Sequence, residues 1–168
     1  DSMQFYRGMD IGTAKVTPEE MSGVPHHLID IIQPDQPYSV ADFQRDCYRL
    51  VEEISARGNL PILAGGTALY VKAVMDGYTF SEEIGSDEAF RLQKEAEASG
   101  KEETYLYQQL LAVDPAAAVK LHPADHRRII RALEVYEKSG KPLSAQANKN
   151  PPPYQMVLLG IQMERERL

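Results

Sequence analysis

The fold class predicted by this sequence is α/β, a parallel sheet flanked by helices and interrupted by a helical insertion. Three observations predict it. A helical pattern from Tyr38 to Gly58 leads into the apolar segment Leu60-Pro61-Ile62-Leu63-Ala64, and Gly65-Gly66 then leads into a second helical pattern from about Thr67 to Met75. The segments His27 to Ile32 and Met156 to Ile161 are apolar nearly throughout, as expected of parallel strands covered on both faces. Between Tyr78 and Asn150 the composition changes to helix formers with few β-branched residues.

Taken in order, the chain opens with a run from Asp1 to Lys15 that has too many polar groups and glycines for a core element. It reads as a loop leaving a strand end, where it offers a carboxylate, a hydroxyl, an amide and two cations to a ligand; a solvated surface turn is the alternative. His27 to Ile32 follows as a strand. In the next helix Ser39 can cap and Asp42 completes a capping box, while Phe43, Cys47, Leu50, Val51 and Ile54 recur at helical spacing until Gly58 stops it. Leu60 to Ala64 reads as a buried strand. Gly65-Gly66-Thr67 then allows close backbone approach to a ligand, and the helix start at Thr67 favours an anion; a tight turn explains the same residues. Asp87 to Ser99, Lys101 to Val113, Asp114 to Leu121 and Ala124 to Ser139 read as short helices bounded by Gly, Pro or an acidic cap. Asn150-Pro151-Pro152-Pro153 makes a stiff return to a strand at Met156 to Ile161. The predicted division is therefore a core at 1–78, an insertion at 79–150 and a return to the core at 151–168.

The 168 residues, 43% hydrophobic and 26% charged, suit one domain with a small appendage. No apolar stretch approaches the ~20 residues that span a bilayer, so no membrane span is expected. Asp1-Ser2-Met3-Gln4 has neither the basic region nor the apolar core of a signal peptide, and the single Cys47 cannot form an internal disulfide, which points to a reducing cytoplasm. With no initiator Met, the chain is expected to begin inside a larger protein. A net charge of −7 argues against a non-specific nucleic-acid coat. A local basic patch is nevertheless present: Arg127-Arg128-Ile129-Ile130-Arg131 puts three guanidiniums on a predicted helix, with Lys120 and His126 nearby. Arginine forks match phosphate oxygens, although a helix face paired with Glu134 and Asp125 is the competing reading. Arg91, after Asp87-Glu88, reads alone as an ordinary surface residue. His26-His27 carries no expectation of a metal, because adjacent histidines diverge and no matching Cys or His cluster exists.

The order of these pieces is more specific than any one of them. Asp1 to Lys15, Gly23-Val24-Pro25-His26-His27-Leu28-Ile29-Asp30, Tyr38-Ser39-Val40-Ala41-Asp42-Phe43, Gly65-Gly66-Thr67-Ala68-Leu69-Tyr70, Arg131-Ala132-Leu133-Glu134-Val135 and Ser139-Gly140-Lys141-Pro142 closely resemble the tRNA dimethylallyltransferase (IPP transferase) family over essentially the whole chain. The resemblance implies a P-loop nucleotide-kinase-like parallel sheet core with an α-helical insertion that closes over the tRNA anticodon stem-loop. It implies a reaction in which N6 of an adenosine just 3′ of the anticodon attacks dimethylallyl diphosphate, with diphosphate leaving under Mg²⁺. It further implies Asp1 as the base, Ser2, Met3 and Gln4 lining the place of the flipped adenosine, and Thr67 touching substrate at the channel mouth. Arg91, Arg127, Arg128, Ile129, Ile130 and Arg131 match positions that touch tRNA, with Ile129 and Ile130 contributing only packing or backbone. A monomer in the cytoplasm is expected.

The departure from the family is the glycine-rich phosphate loop ending in Lys-Thr or Lys-Ser, which would hold diphosphate and Mg²⁺ and does not occur in this sequence. A fragment without donor binding is expected on that ground. The competing functions are an enzyme prenylating free adenine nucleotides, which needs no insertion of the length of Tyr78 to Asn150, a non-catalytic RNA-binding module, and a nucleotide kinase.

Overall fold

The computed structural model describes residues 2–80, 85–146, 150, 154–164 and 166. The chain divides into two compact units, 1–78 with 150–168, and 79–149.

In the first unit a 3-10 turn, Ser2–Phe5, precedes α1, Val40–Ala56, and α2, Ala68–Met75. The capping box read from the sequence forms: Asp42 N–H donates to Ser39 Oγ at 3.2 Å, and Ser39 N–H to Asp42 Oδ2 at 2.9 Å. Gly58, at φ 76°, turns the chain out of α1, its N–H donating to the Ser55 carbonyl at 2.9 Å. Side chains of α1 then take up carbonyls at the end of α2. Gln44 Nε2 donates to Ala73 O at 2.7 Å and Tyr78 O at 2.9 Å, and the Tyr48 hydroxyl to Val74 O at 2.9 Å. These bonds satisfy acceptors that a helix end leaves unpaired.

The core of this unit is aromatic. Phe5 is 6% exposed, with its ring 4.8 Å from Tyr38, 5.8 Å from Phe43 and 5.8 Å from Tyr70. Phe43 and Tyr70 meet edge to face at 5.0 Å, and Cys47 and Val74 close the cluster. Burial pushes the Tyr38 hydroxyl well above its ordinary pKa, and its hydrogen bond to Asp46 adds to that.

The parallel sheet expected from the sequence is not formed among the described residues, where no strand is present. His27 to Ile32 fails because Leu28 and Asp30 take positive φ, 60° and 54°, which an extended ladder does not accommodate. At the end of that segment Tyr6 and Ile32 form a parallel bridge, with Ile31 N–H donating to Phe5 O at 2.8 Å and Arg7 N–H to Ile32 O at 2.9 Å. Leu60 to Ala64 and Met156 to Ile161 lie against solvent: Ile62 is 81% and Ile161 97% exposed. A strand has no internal backbone bonds and exists only when a neighbour supplies a ladder.

The second unit is helical: α3, Glu88–Ala98; α4, Tyr105–Val113; α5, Pro115–Ala118; α6, His126–Ser139; and α7, Leu143–Gln146. Helices α3 to α6 lie within the segments predicted, somewhat shortened, and α7 was not foreseen. Asp87 and Asp125 cap α3 and α6, and Gly140 at φ 66° ends α6. Leu106 and Leu110 of α4 pack on Ile129, Ile130 and Leu133 of α6. Asp114, 1% exposed, caps α5 through the Ala117 amide and accepts from both the Ser144 amide, at 2.9 Å, and the Ser144 hydroxyl, at 2.6 Å, which ties α7 to the bundle.

Near the first unit's closing residues, Asn150 N–H donates to Gly77 O at 3.0 Å. Gly77 has φ 58°, and a Cβ there would drive into the Asn150 carbonyl. Gly77→Ala is expected to destabilise the protein by more than about 1 kcal/mol. Phe5→Ala, which empties the centre of the aromatic cluster, should cost about 3–5 kcal/mol. Urea titrations of both variants check these values.

Candidate functional site

The first candidate site gathers around the Ser2–Phe5 turn. Burial of Phe5 anchors the turn, and Thr67 reaches it from the far side of the sequence: Ser2 N–H donates to Thr67 Oγ1 at 3.2 Å across 65 positions. Thr67 precedes α2 as read from the sequence, yet its hydroxyl makes no capping bond to that helix. Its acceptor lone pair serves Ser2 instead. Met3 is 43% exposed beside it. Asp1 lies outside the described residues.

Gln4 faces inward along the loop. Its Nε2 donates to Thr13 O at 2.9 Å and Ala14 O at 3.2 Å, while its own carbonyl accepts from Asp30 N–H at 3.1 Å. The cations that the sequence offered to a ligand are likewise drawn into the protein. Lys15, its side chain 6% exposed, donates to Tyr6 O at 2.8 Å and bridges Asp10 at 2.7 Å and Asp30 at 2.6 Å. Desolvation pulls its pKa down, but the bonds to the two carboxylates outweigh it and leave the ammonium above its ordinary value. Arg7 Nε donates to Asp30 O at 2.9 Å. Lys15 and Arg7 thus brace the loop whose tip carries Ser2 and Met3, a role that composition alone did not distinguish from ligand binding.

The second candidate site lies in the helical unit. Arg91 of α3 and Arg131 of α6 converge on Glu134: Arg91 Nη2 at 2.9 Å, Arg91 Nε at 3.3 Å and Arg131 Nη1 at 2.7 Å all donate to its Oε2, and the Asp87 amide donates to Oε1. Glu134 is 0% exposed, whereas the two arginine side chains are 39% and 40% exposed. Lys138 pairs with Asp87 at 3.5 Å and donates to Gly85 O at 3.2 Å. Among the described residues the cluster brings Arg91, Arg131 and Lys138 together with Glu134 and Asp87.

The other residues of the basic run separate by helical phase. Arg127 is exposed, and Arg128 pairs with Asp125 at 3.3 Å. Ile129 and Ile130, 0% and 2% exposed, are core side chains. Arg131 and Glu134 sit at i,i+3, a local signal the sequence carried. Arg91 lies 43 positions from Glu134, with no local signal. Among the described residues no group of three or more His, Cys, Asp or Glu comes together to hold a metal ion, and no helix is long and apolar enough to cross a membrane.

Burial raises the Glu134 pKa, but the hydrogen bonds from Arg91, Arg131 and the Asp87 amide outweigh it and hold the carboxyl below its ordinary 4.5. A depressed pKa in the folded state adds stability that is present above the unfolded value and is lost as pH falls through the folded one. Unfolding free energies measured from about pH 5 to about pH 3 should fall less steeply for Glu134→Gln than for the unsubstituted protein.

The sequence profile of the IPP transferases matches residues 4–168. A tRNA dimethylallyltransferase of Carboxydothermus hydrogenoformans is 52% identical over all of this chain and 55% of its own length, and one of Symbiobacterium thermophilum is 53% identical over all of this chain and 53% of its own. A crystal structure of a eukaryotic dimethylallyltransferase acting on tRNA aligns with a TM-score of 0.71 at 29% identity, over 90% of this chain and 39% of that one. The chain spans about half the length of the curated relatives it matches. With a profile match from residue 4 to residue 168 and relatives identical at half of all positions, this chain belongs to the IPP transferase family.

Proposed function

We propose that this protein transfers a dimethylallyl group from dimethylallyl diphosphate to N6 of the adenosine 3′-adjacent to the anticodon of tRNA, releasing diphosphate. The observation that carries the reading is the 3.2 Å bond from the Ser2 amide to Thr67 Oγ1, which joins the two family motifs into one site across 65 positions. In the reaction the N6 lone pair forms a bond to the first carbon of the donor as that carbon's bond to the diphosphate oxygen breaks. The electron pair leaves with diphosphate, and the surplus proton on N6 passes to the Asp1 carboxylate. An exocyclic adenine amine is a weak nucleophile, so a base in hydrogen-bond reach is what the chemistry requires of this chain. Ser2, Met3 and Gln4 line the place of the extruded adenosine, and Thr67 holds the Ser2 end of that wall at the channel mouth.

The helical residues 79–150 supply the grip on the anticodon stem-loop through Arg91, Arg127, Arg128 and Arg131, with Ile129 and Ile130 packing beneath them. Such a unit has no use in an enzyme acting on free adenine nucleotides. Residues 1–78 and 151–168 belong to the catalytic core. The exposure of Leu60 to Ala64 and Met156 to Ile161 supports the further proposal that they are strands of a nucleotide-kinase-like parallel sheet, since apolar extended segments lose their solvent exposure on pairing. Diphosphate and Mg²⁺ would be held by a phosphate loop of the kind the family resemblance implies. The proposed setting is the cytoplasm and the proposed state a monomer.

Transfer of labelled dimethylallyl groups to unmodified tRNA tests the reading. Asp1→Ala should lower the rate by about 10²–10⁴-fold, the range of a lost general base, with tRNA affinity kept within a few-fold. A rate unchanged by that substitution removes Asp1 as the base. Tight tRNA binding with no transfer, in protein that also carries a phosphate loop, supports a binding module instead.

A further inference from the structure

Among the described residues of the helical unit, Glu134 and Asp114 are the buried charged side chains, and they are buried for different ends. Asp114 meets backbone amides and the Ser144 hydroxyl, so its contacts are complete inside the protein. Glu134 meets two guanidiniums that stay about two-fifths in solvent. A buried carboxylate is a modest source of net stability, because its desolvation offsets much of the attraction it gains. What Glu134 supplies beyond that stability is geometry. A guanidinium is a planar fork of five N–H donors; the carboxylate takes Nε and Nη2 of Arg91 and Nη1 of Arg131, so neither fork can rotate away.

We propose that Glu134 is a positioning residue, a buried carboxylate that holds Arg91 of α3 and Arg131 of α6 side by side as a preformed double fork for one backbone phosphate of RNA. The proposal rests on the reading that the helical unit grips tRNA. Two forks locked before contact lose little side-chain freedom on binding, and that loss is otherwise a large part of the cost of a flexible cation closing on a phosphate. The Lys138 pair with Asp87 ties the start of α3 to α6. Glu134 never touches the phosphate itself. Its negative charge opposes phosphate binding at a distance, and that opposition separates positioning from mere charge: if only charge counted, removing the carboxylate would tighten RNA binding.

The test is the affinity of unmodified tRNA and of its anticodon stem-loop, measured against salt concentration, for the unsubstituted protein, Glu134→Gln, Glu134→Asp, the double variant Arg91→Ala with Arg131→Ala, and Glu134→Gln added to that double variant. Glu134→Gln is expected to weaken binding by about tenfold and to lower the slope of log affinity against log salt by about 1, the signature of one lost phosphate contact. In the background lacking both arginines the same substitution should change affinity by less than about twofold, since a residue acting through others has no effect once they are gone. Tighter or unchanged binding by Glu134→Gln, with the double arginine variant weakened, overturns the proposal and leaves the tRNA reading standing. Unsubstituted protein that does not bind tRNA, or a double arginine variant of undiminished affinity, overturns the tRNA reading and this proposal with it. If Glu134→Gln does not fold, Glu134→Asp decides: the charge is kept but drawn back by a methylene, so weaker binding with a reduced salt slope supports positioning and unaltered binding overturns it.

Discussion

Burial of the Phe5 ring is the constraint on which the first unit depends, because it couples two things that the chain keeps apart. On one side it is the last residue of the Ser2–Phe5 turn; on the other it is the hub of an aromatic cluster built from Tyr38, Phe43 and Tyr70. Apolar burial thereby fixes the position of a polar turn that could not hold itself. Once Phe5 is seated, its backbone carbonyl meets the amides of Ile31 and Ile32, and the Ser2 amide lies within reach of Thr67. A site made of short polar residues inherits its rigidity from a hydrophobic contact a few residues away.

The helical unit solves the same problem with charge. Its core of Leu106, Leu110, Ile129, Ile130 and Leu133 aligns α4 with α6, and the buried carboxylates then fix what surrounds that core. Asp114 draws in α7 through Ser144, and Glu134 draws α3 to α6 through Arg91. In a chain with an excess of acidic residues, the effect is to leave a few cations concentrated on one cluster while Arg128 is matched by its own helix cap. Concentration at a point suits the recognition of a particular phosphate better than diffuse positive charge does.

Much of the secondary structure was legible because helices are local. The capping box at Ser39 and Asp42, the stops at Gly58 and Gly140 and the caps at Asp87 and Asp125 depend on bonds between residues within one turn, so the residue types alone announce them. The strands were not legible in that way. Leu60 to Ala64 and Met156 to Ile161 carry the composition of buried strands, but composition does not supply a ladder, and His27 to Ile32 is bent by positive φ at two residues that are not glycine. The candidate site divided likewise. The motif from Asp1 to Lys15 was recognisable as a unit, while the inward roles of Gln4, Arg7 and Lys15 depended on carbonyls and carboxylates reached only after folding.

The sequence by itself determined the helices, their caps, the apolar faces they bury and membership of the IPP transferase family, because each of these is written in neighbouring residues or in the order of motifs. Only the tertiary structure decided that Thr67 serves Ser2 rather than its own helix, that Lys15 braces the loop rather than awaiting a ligand, and that Arg91 shares a buried carboxylate with Arg131. The physical reason is distance along the chain. The contacts that make these assignments span 65 positions for Ser2 with Thr67 and 43 for Arg91 with Glu134, and no local propensity records a partner that far away.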